Sequence, residues 1–240
     1  MRNSVVLIGR GPLFWEVKDF LTDYHFRVVT PDELSSEIRA VIDVETGVDE
    51  VKKHTLVQVE SRIPSGVPVF TSALHRTATE IASWLKHPER VAGFSPLLLS
   101  EMTTVEISRP FQADDENVWN QCLLFWKELG KQVEVVGDEP GLVFPRILSL
   151  LVNEAAFALS EGIASAEDID LAMKLGTNFP SGPLEWADEI GLDQIVAILS
   201  GLHREMGDDG YRPAPLLRKM VYAGYLGQAS GRGFYRYDRK

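Results

Sequence analysis

Up to about residue 110 the chain alternates between short β-rich runs and segments of helical character, and this alternation limits the possible folds more than any other feature. The runs SVVLIG, FRVVT, AVIDVET and VPVFTS are interleaved with PLFWEVKDFLTDY, a segment around VDEVKKHTLVQVESRI, and TEIASWLKH. Such a pattern predicts βαβ units that build a parallel sheet, with VAGFS and TVEISR as two further strands. After residue 113 the period changes. ENVWNQCLLFWKELG places Leu123, Trp126 and Leu129 on one helical face, KQVEVVGDEPG reads as a last strand and turn, and long amphipathic segments follow: VFPRILSLLVNEAAFALSEG, AEDIDLAMKLG, LDQIVAILSGLHREM and PLLRKMVYAGY. The expected architecture is an α/β domain over residues 1–139 followed by an all-α domain over 140–240, with no internal repeat.

The first strand runs into Gly9-Arg10-Gly11, which opens like a dinucleotide-binding turn. In Gly-x-Gly-x-x-Gly the first glycine makes the tight turn. The second lets backbone N–H groups approach a pyrophosphate at the helix N-terminus, and the third lets the helix pack closely on the sheet. Gly9 and Gly11 keep the first two roles, whereas Phe14 stands in place of the third glycine and Pro12 removes one donor. An acidic residue is needed at the end of the second strand to accept the ribose hydroxyls; FRVVTPDE puts Thr30 there, with Asp32 and Glu33 nearby. Two readings stand side by side: a cofactor turn using Gly9, Gly11 and Asp32, and a strand-to-helix turn that no longer holds a dinucleotide.

Composition narrows the partners. Twenty-four Lys and Arg against 35 Asp and Glu give a formal charge of -11, without a basic run, so a nucleic-acid partner is not expected. Cys122 is the only cysteine, which excludes an internal disulfide and a cysteine-based zinc site and fits a reducing cytoplasm. Without a signal-like opening or a run of 18 apolar residues, the chain is expected to be neither exported nor membrane-spanning.

The second half carries a resemblance. AEDIDLAMKLGTNFPSGPLEWADEIGLD and LLRKMVYAGYLGQASGRGFYRYD match, in order, at Lys174 to Gly176, Pro180 to Pro183, Glu185, Asp188, Gly191 to Asp193 and Gly231 to Tyr235. With these pieces the chain resembles the L-3-hydroxyacyl-CoA dehydrogenase family, which includes 3-hydroxybutyryl-CoA dehydrogenases. The likeness extends back through RVAGFSP, TTVEISRP and DEPGLVFPRIL. Locally, Ser165 and Asp168 read as a capping box, Gly176 as the C-cap of the same helix, and Gly191 as another helix end.

The resemblance implies a Rossmann-type domain, here shortened between FRVVT and AVIDVET, and a helical domain that forms a homodimer and closes over an acyl-CoA substrate. It implies NAD as cofactor and a His–Glu pair that takes the hydroxyl proton as hydride leaves, within fatty acid metabolism. Carried over residue by residue, the Glu is Glu106. The family His falls in Gly93-Phe94-Ser95-Pro96-Leu97, where no histidine stands, and the family Asn falls on Pro145, before Arg146. Ser72 is the nearest hydroxyl for the substrate. Asp43, at the end of AVID, lies about where the family carries a Glu at the rim of the site, and is equally readable as a strand-end carboxylate.

His75 follows the strand VPVFTS, whose C-terminal end should face the nicotinamide, and is therefore the candidate for a displaced base, although a lone loop histidine is more often a solvated surface residue. His25, His54, His87 and His203 read as surface residues. Trp119 and Trp126 read as core or dimer contacts, and Arg218, Lys219 and Arg232 either as partners for CoA phosphates or as supports of a docked C-terminal segment. The functional expectation is a 3-hydroxyacyl-CoA dehydrogenase-like protein with an impaired or absent reaction. The alternative is an acyl-CoA-binding or structural partner of a competent homologue.

Overall fold

The computed structural model describes residues 3–34, 37–47 and 49–238. The chain divides into two compact units, Met1–Val143 and Phe144–Lys240.

In the first unit the order is β1 Ser4–Ile8, α1 Pro12–Asp23, β2 Arg27–Val29, β3 Ile38–Asp43, α2 Asp49–Glu60, β4 Val69–Ser72, α3 Ala78–Ala82, β5 Val91–Phe94, β6 Thr104–Ser108, α4 Glu116–Glu128 and β7 Gln132–Val136. The seven strands lie in the order β2-β1-β3-β4-β5-β6-β7. From β2 to β5 every pair is parallel. The last two strands run the other way: β6 pairs antiparallel with β5 and parallel with β7. Chain connections explain the reversal. β5 and β6 are joined by the loop 95–103, which contains no helix, whereas α4 supplies the crossover that a parallel β6–β7 pair requires.

Strands buried on both faces read as continuous apolar runs, and Val5, Val6, Leu7, Val41 and Ile42 are fully buried. One face of the sheet is filled by an aromatic cluster. Phe70 stacks on Phe125 with ring centroids 5.0 Å apart, and Trp126 lies 5.3 Å from Phe70 and 5.2 Å from Phe94. Trp119 and Trp126 are thus core residues of α4, which also buries Cys122 and Phe125.

The second unit is helical: α5 Phe144–Ser160, α6 Ala166–Thr177, α7 Pro183–Ile190, α8 Leu192–Met206 and α9 Pro215–Tyr222. Leu148, Val152 and Ala156 of α5 meet Ala187 of α7, Leu192, Ile195 and Leu199 of α8, and Leu217 of α9 in one core. Ser165 caps α6 as its sequence predicts, its hydroxyl accepting from Asp168 N at 3.1 Å. Gly176 does not end that helix: the left-handed cap is Asn178 (φ 56°), and Gly176 lies inside α6. Of helix α7 the sequence marks only the end, at Gly191, because its eight residues follow the turn-like NFPSGP. Its N-terminus is fixed from outside, Asp170 of α6 accepting from Leu184 N at 2.8 Å and Glu185 N at 3.0 Å. Asp188 holds the C-terminal segment by accepting from Phe234 N and Tyr235 N, both at 2.9 Å.

Candidate functional site

The sheet changes direction of growth at β1, with β2 added on one side and β3 on the other; ligands of open α/β sheets bind beyond the strand ends at such a point. Gly9 and Gly11 occupy it. Gly9 has φ 137°, and a Cβ there would lie 2.6 Å from Val44 Cγ2, so only glycine lets the turn pass the end of β3. Gly11 has φ 76° with open space at its Cβ position, and α1 begins at Pro12 with no side chain capping it. Beside the turn is a cleft of about 320 Å³ lined by Gly9, Arg10, Phe14, Thr30, Glu45 and Lys52, among others. Phe14 therefore faces the cleft in place of the small residue such a turn calls for. Thr30 follows β2 and caps a short turn at 31–33, in which Asp32 is exposed.

Asp43 is turned inward. Fully buried, its carboxylate accepts from Glu45 N at 3.1 Å and Thr71 Oγ1 at 2.7 Å, and pairs with Lys52 Nζ at 2.8 Å. Lys52 also donates to the carbonyls of Glu45 at 2.9 Å and Ser72 at 3.3 Å. The Asp43 carboxylate is thereby engaged within the sheet, which is the strand-end reading of this residue. Ser72 is fully buried, and its hydroxyl has no hydrogen-bond partner among the described residues.

His75 is buried, not solvated as a loop histidine usually is: at 6% exposure its Nε2 sits 3.1 Å from Asp49 Oδ1. Burial and then the nearby Lys52 charge push its pKa down to about 4, against the opposing pull of Asp49. Asp49 also receives Arg76 through Nε at 3.2 Å. Burial works to raise the Asp49 pKa, but the hydrogen bonds from Arg76 and His75 prevail and hold the carboxyl below its ordinary value. At neutral pH this histidine is an uncharged imidazole engaged with a carboxylate.

Glu106 stands on β6, two sheet positions from β4, the strand that leads to His75. It faces Ser95 across the antiparallel ladder, where Ser95 N donates to Glu106 O at 3.1 Å, and its Oε2 accepts from Val143 N at 3.0 Å. Pro145 lies in the first turn of α5, and Arg146 donates to the Tyr211 hydroxyl at 2.5 Å. The structure thus brings together Asp43, Lys52, Ser72 and Asp49 with His75 at one end of the sheet, and Ser95 with Glu106 on the β5–β6 pair.

Residues 141–237 match the family model described as 3-hydroxyacyl-CoA dehydrogenase, C-terminal domain. A 3-hydroxybutyryl-CoA dehydrogenase of Bradyrhizobium diazoefficiens is 38% identical over 216 residues, 88% of this chain and 73% of the relative. The chain belongs to the 3-hydroxyacyl-CoA dehydrogenase family. A Bacillus subtilis protein named probable 3-hydroxybutyryl-CoA dehydrogenase is 46% identical over 165 residues, 68% of this chain but only 56% of that protein's length. The crystal structure of (S)-3-hydroxybutyryl-CoA dehydrogenase from Ralstonia eutropha superposes with a TM-score of 0.78 at 29% identity, covering 99% of both chains.

Within this 3-hydroxyacyl-CoA dehydrogenase fold, sequence reasoning missed Lys52, Glu45, Arg10 and Asp49. Lys52 left a trace, since it shares one helical face with Leu56 and Val59, where an apolar residue is the rule. Glu45 and Asp49 left none, because their partners are set by loop packing. Among the described residues no cluster of His, Cys, Asp and Glu could hold a metal ion, and no helix is long and apolar enough to cross a membrane.

Proposed function

We propose that this chain is a 3-hydroxyacyl-CoA dehydrogenase-like protein in which oxidation of L-3-hydroxyacyl-CoA is impaired or lost, and which serves as an acyl-CoA-binding or structural partner of a competent homologue. The observation that carries this reading is the backbone rung between Ser95 and Glu106: at the strand position paired with Glu106 the chain has a serine, where a proton-accepting imidazole is required. His75 does not make good the loss. Its nitrogen is bound to Asp49, and a base with pKa about 4 has little affinity for the substrate proton at neutral pH. Losing general-base assistance costs about 10²- to 10⁴-fold in rate.

NAD, the cofactor the family resemblance implies, meets two suitable glycines and little else. Phe14 lines the cleft, Pro12 withholds a donor, no acid stands at the end of β2, and Asp43 is committed to Lys52. The residues present do not fit the dinucleotide.

The 1–143 unit is read as the former dinucleotide domain and the 144–240 unit as the acyl-CoA and dimerisation domain. A homodimer through the helical unit is part of this reading, and the exposed Ile147, Leu171, Leu175 and Tyr222 are apolar side chains such a partner would cover. A cytoplasmic location within fatty acid metabolism accompanies this reading. The test is acetoacetyl-CoA reduction by NADH, followed at the nicotinamide absorbance beside a full-length relative. The expected rate is lower by at least about 10²-fold. Turnover equal to the relative's, and abolished by His75→Ala, would overturn the proposal in favour of a rebuilt dehydrogenase.

A further inference from the structure

The charges lining the cleft beside Gly9 cancel one another. Lys52 is committed to Asp43, and Arg10 Nε lies 3.3 Å from Glu45 Oε2. The Glu45 side chain is only 10% exposed while that of Arg10 is 67% exposed, so a nearly buried carboxylate ties down the cation of the glycine turn. Glu45 Oε1 also accepts from Gly47 N at 2.8 Å. A methyl group on Gly47 would come within 2.6 Å of that carboxylate and 3.4 Å of the Arg10 guanidinium, so Gly47 packs closely against the Arg10–Glu45 pair.

A diphosphate at a strand–turn–helix junction is held by the opening N–H groups of the helix and by neighbouring positive charge. Here α1 is free of any side-chain cap, yet the cleft it opens on contains a carboxylate and no uncommitted cation among its lining residues.

We propose that Glu45 is the residue that turns this cleft against dinucleotides. It neutralises Arg10, so a diphosphate entering this partly dry site meets no net positive charge, where an unopposed cation would attract it far more strongly than in water. An uncharged nucleoside is indifferent to that neutralisation. Phe14, by contrast, narrows the cleft sterically and acts on nucleoside and dinucleotide alike. The inference rests on reading this turn as a former dinucleotide seat, and it is tested by binding alone, so a chain without turnover answers it equally well.

The experiment is a calorimetric titration of the full chain with NADH and, separately, with adenosine, using wild type, Glu45→Gln and Glu45→Ala. Glutamine keeps the side-chain shape and the acceptor for Gly47 N. Alanine serves as the second variant, and thermal melts establish that each is folded. NADH affinity is expected to rise at least about tenfold in either variant, with the adenosine affinity of Glu45→Gln staying within about twofold of wild type. An NADH affinity unchanged within about twofold in both variants, whether all bind or none does, overturns the proposal. So does an equal gain for adenosine in Glu45→Gln, which would show that space and not charge was limiting.

Discussion

Asp170 and Asp188 in the helical unit, and Asp43 and Glu60 in the sheet unit, are all carboxylates withdrawn from water, and the two units satisfy them by opposite means. In the helical unit the acceptors meet neutral donors. Asp170 takes two N–H groups of α7 and the Tyr235 hydroxyl at 2.6 Å; Asp188 takes two N–H groups of the C-terminal segment and the Tyr237 hydroxyl at 3.1 Å. In the sheet unit they meet cations. Glu60 pairs with Arg90 at 3.3 Å while capping the backbone at Lys86 and His87, and Asp43 pairs with Lys52. Neutral donors leave the helical unit's anions doing one task, the fixing of helix ends and the terminal segment. The Asp43–Lys52 pair takes up two side chains that a ligand at the carboxyl ends of the strands would otherwise meet, whereas the Glu60–Arg90 pair ties together the segments that lead into β4 and β5.

The sharpest way to break this comparison is Lys52→Ala. It leaves Asp43 buried and uncompensated and is expected to destabilise the sheet unit by about 3–5 kcal/mol in urea unfolding, whereas the matched pair Lys52→Met with Asp43→Asn recovers most of the loss. If the matched pair is as damaging as the single change, the sheet unit does not depend on charge neutralisation.

The next effect is one of pH. His75 titrates at about 4 when folded and near 6.5 when unfolded, so the unfolded chain takes up the proton first. Stability is fully present above about pH 6.5 and falls as the pH drops towards about 4, by up to about 3 kcal/mol. His75→Gln should flatten that segment of the stability profile, and an unchanged slope would show that His75 is not the titrating group.

The smallest is Asp188→Asn, which sets an amide among three donors and is expected to cost about 2 kcal/mol, with protease sensitivity appearing first in the C-terminal segment. Loss of the sheet unit's structure instead would contradict the separation drawn above.

These contrasts also explain what could be read in the sequence. The strand and helix alternation was legible because periodicity is local, and so were the Ser165 cap and the glycine turn, whose signals span three or four residues. The reversal of β6 and β7 was written in the helix-free loop 95–103, but its meaning depends on which strand the chain returns to. Helix α7 is stabilised by Asp170, a residue from another helix, so its own eight residues carry a weak pattern. In the site, the expectations for Glu106 and for an absent histidine came from resemblance alone. The burial of His75 could not be read, because Asp49, Arg76 and Lys52 close around it from α2 and its N-terminal turn as well as from the loop itself.

The aromatic cluster under the sheet gives the molecule an optical property of its own. Trp126 is fully buried among Phe70, Phe94 and Phe125, and its indole N–H meets no polar partner among the described residues. Its excited state therefore relaxes in a rigid, dry surrounding and emits towards the blue, whereas Trp15, more than half exposed on α1, emits towards the red. The colour of the light leaving the protein thus reports whether the sheet and α4 are still pressed together, without any label attached.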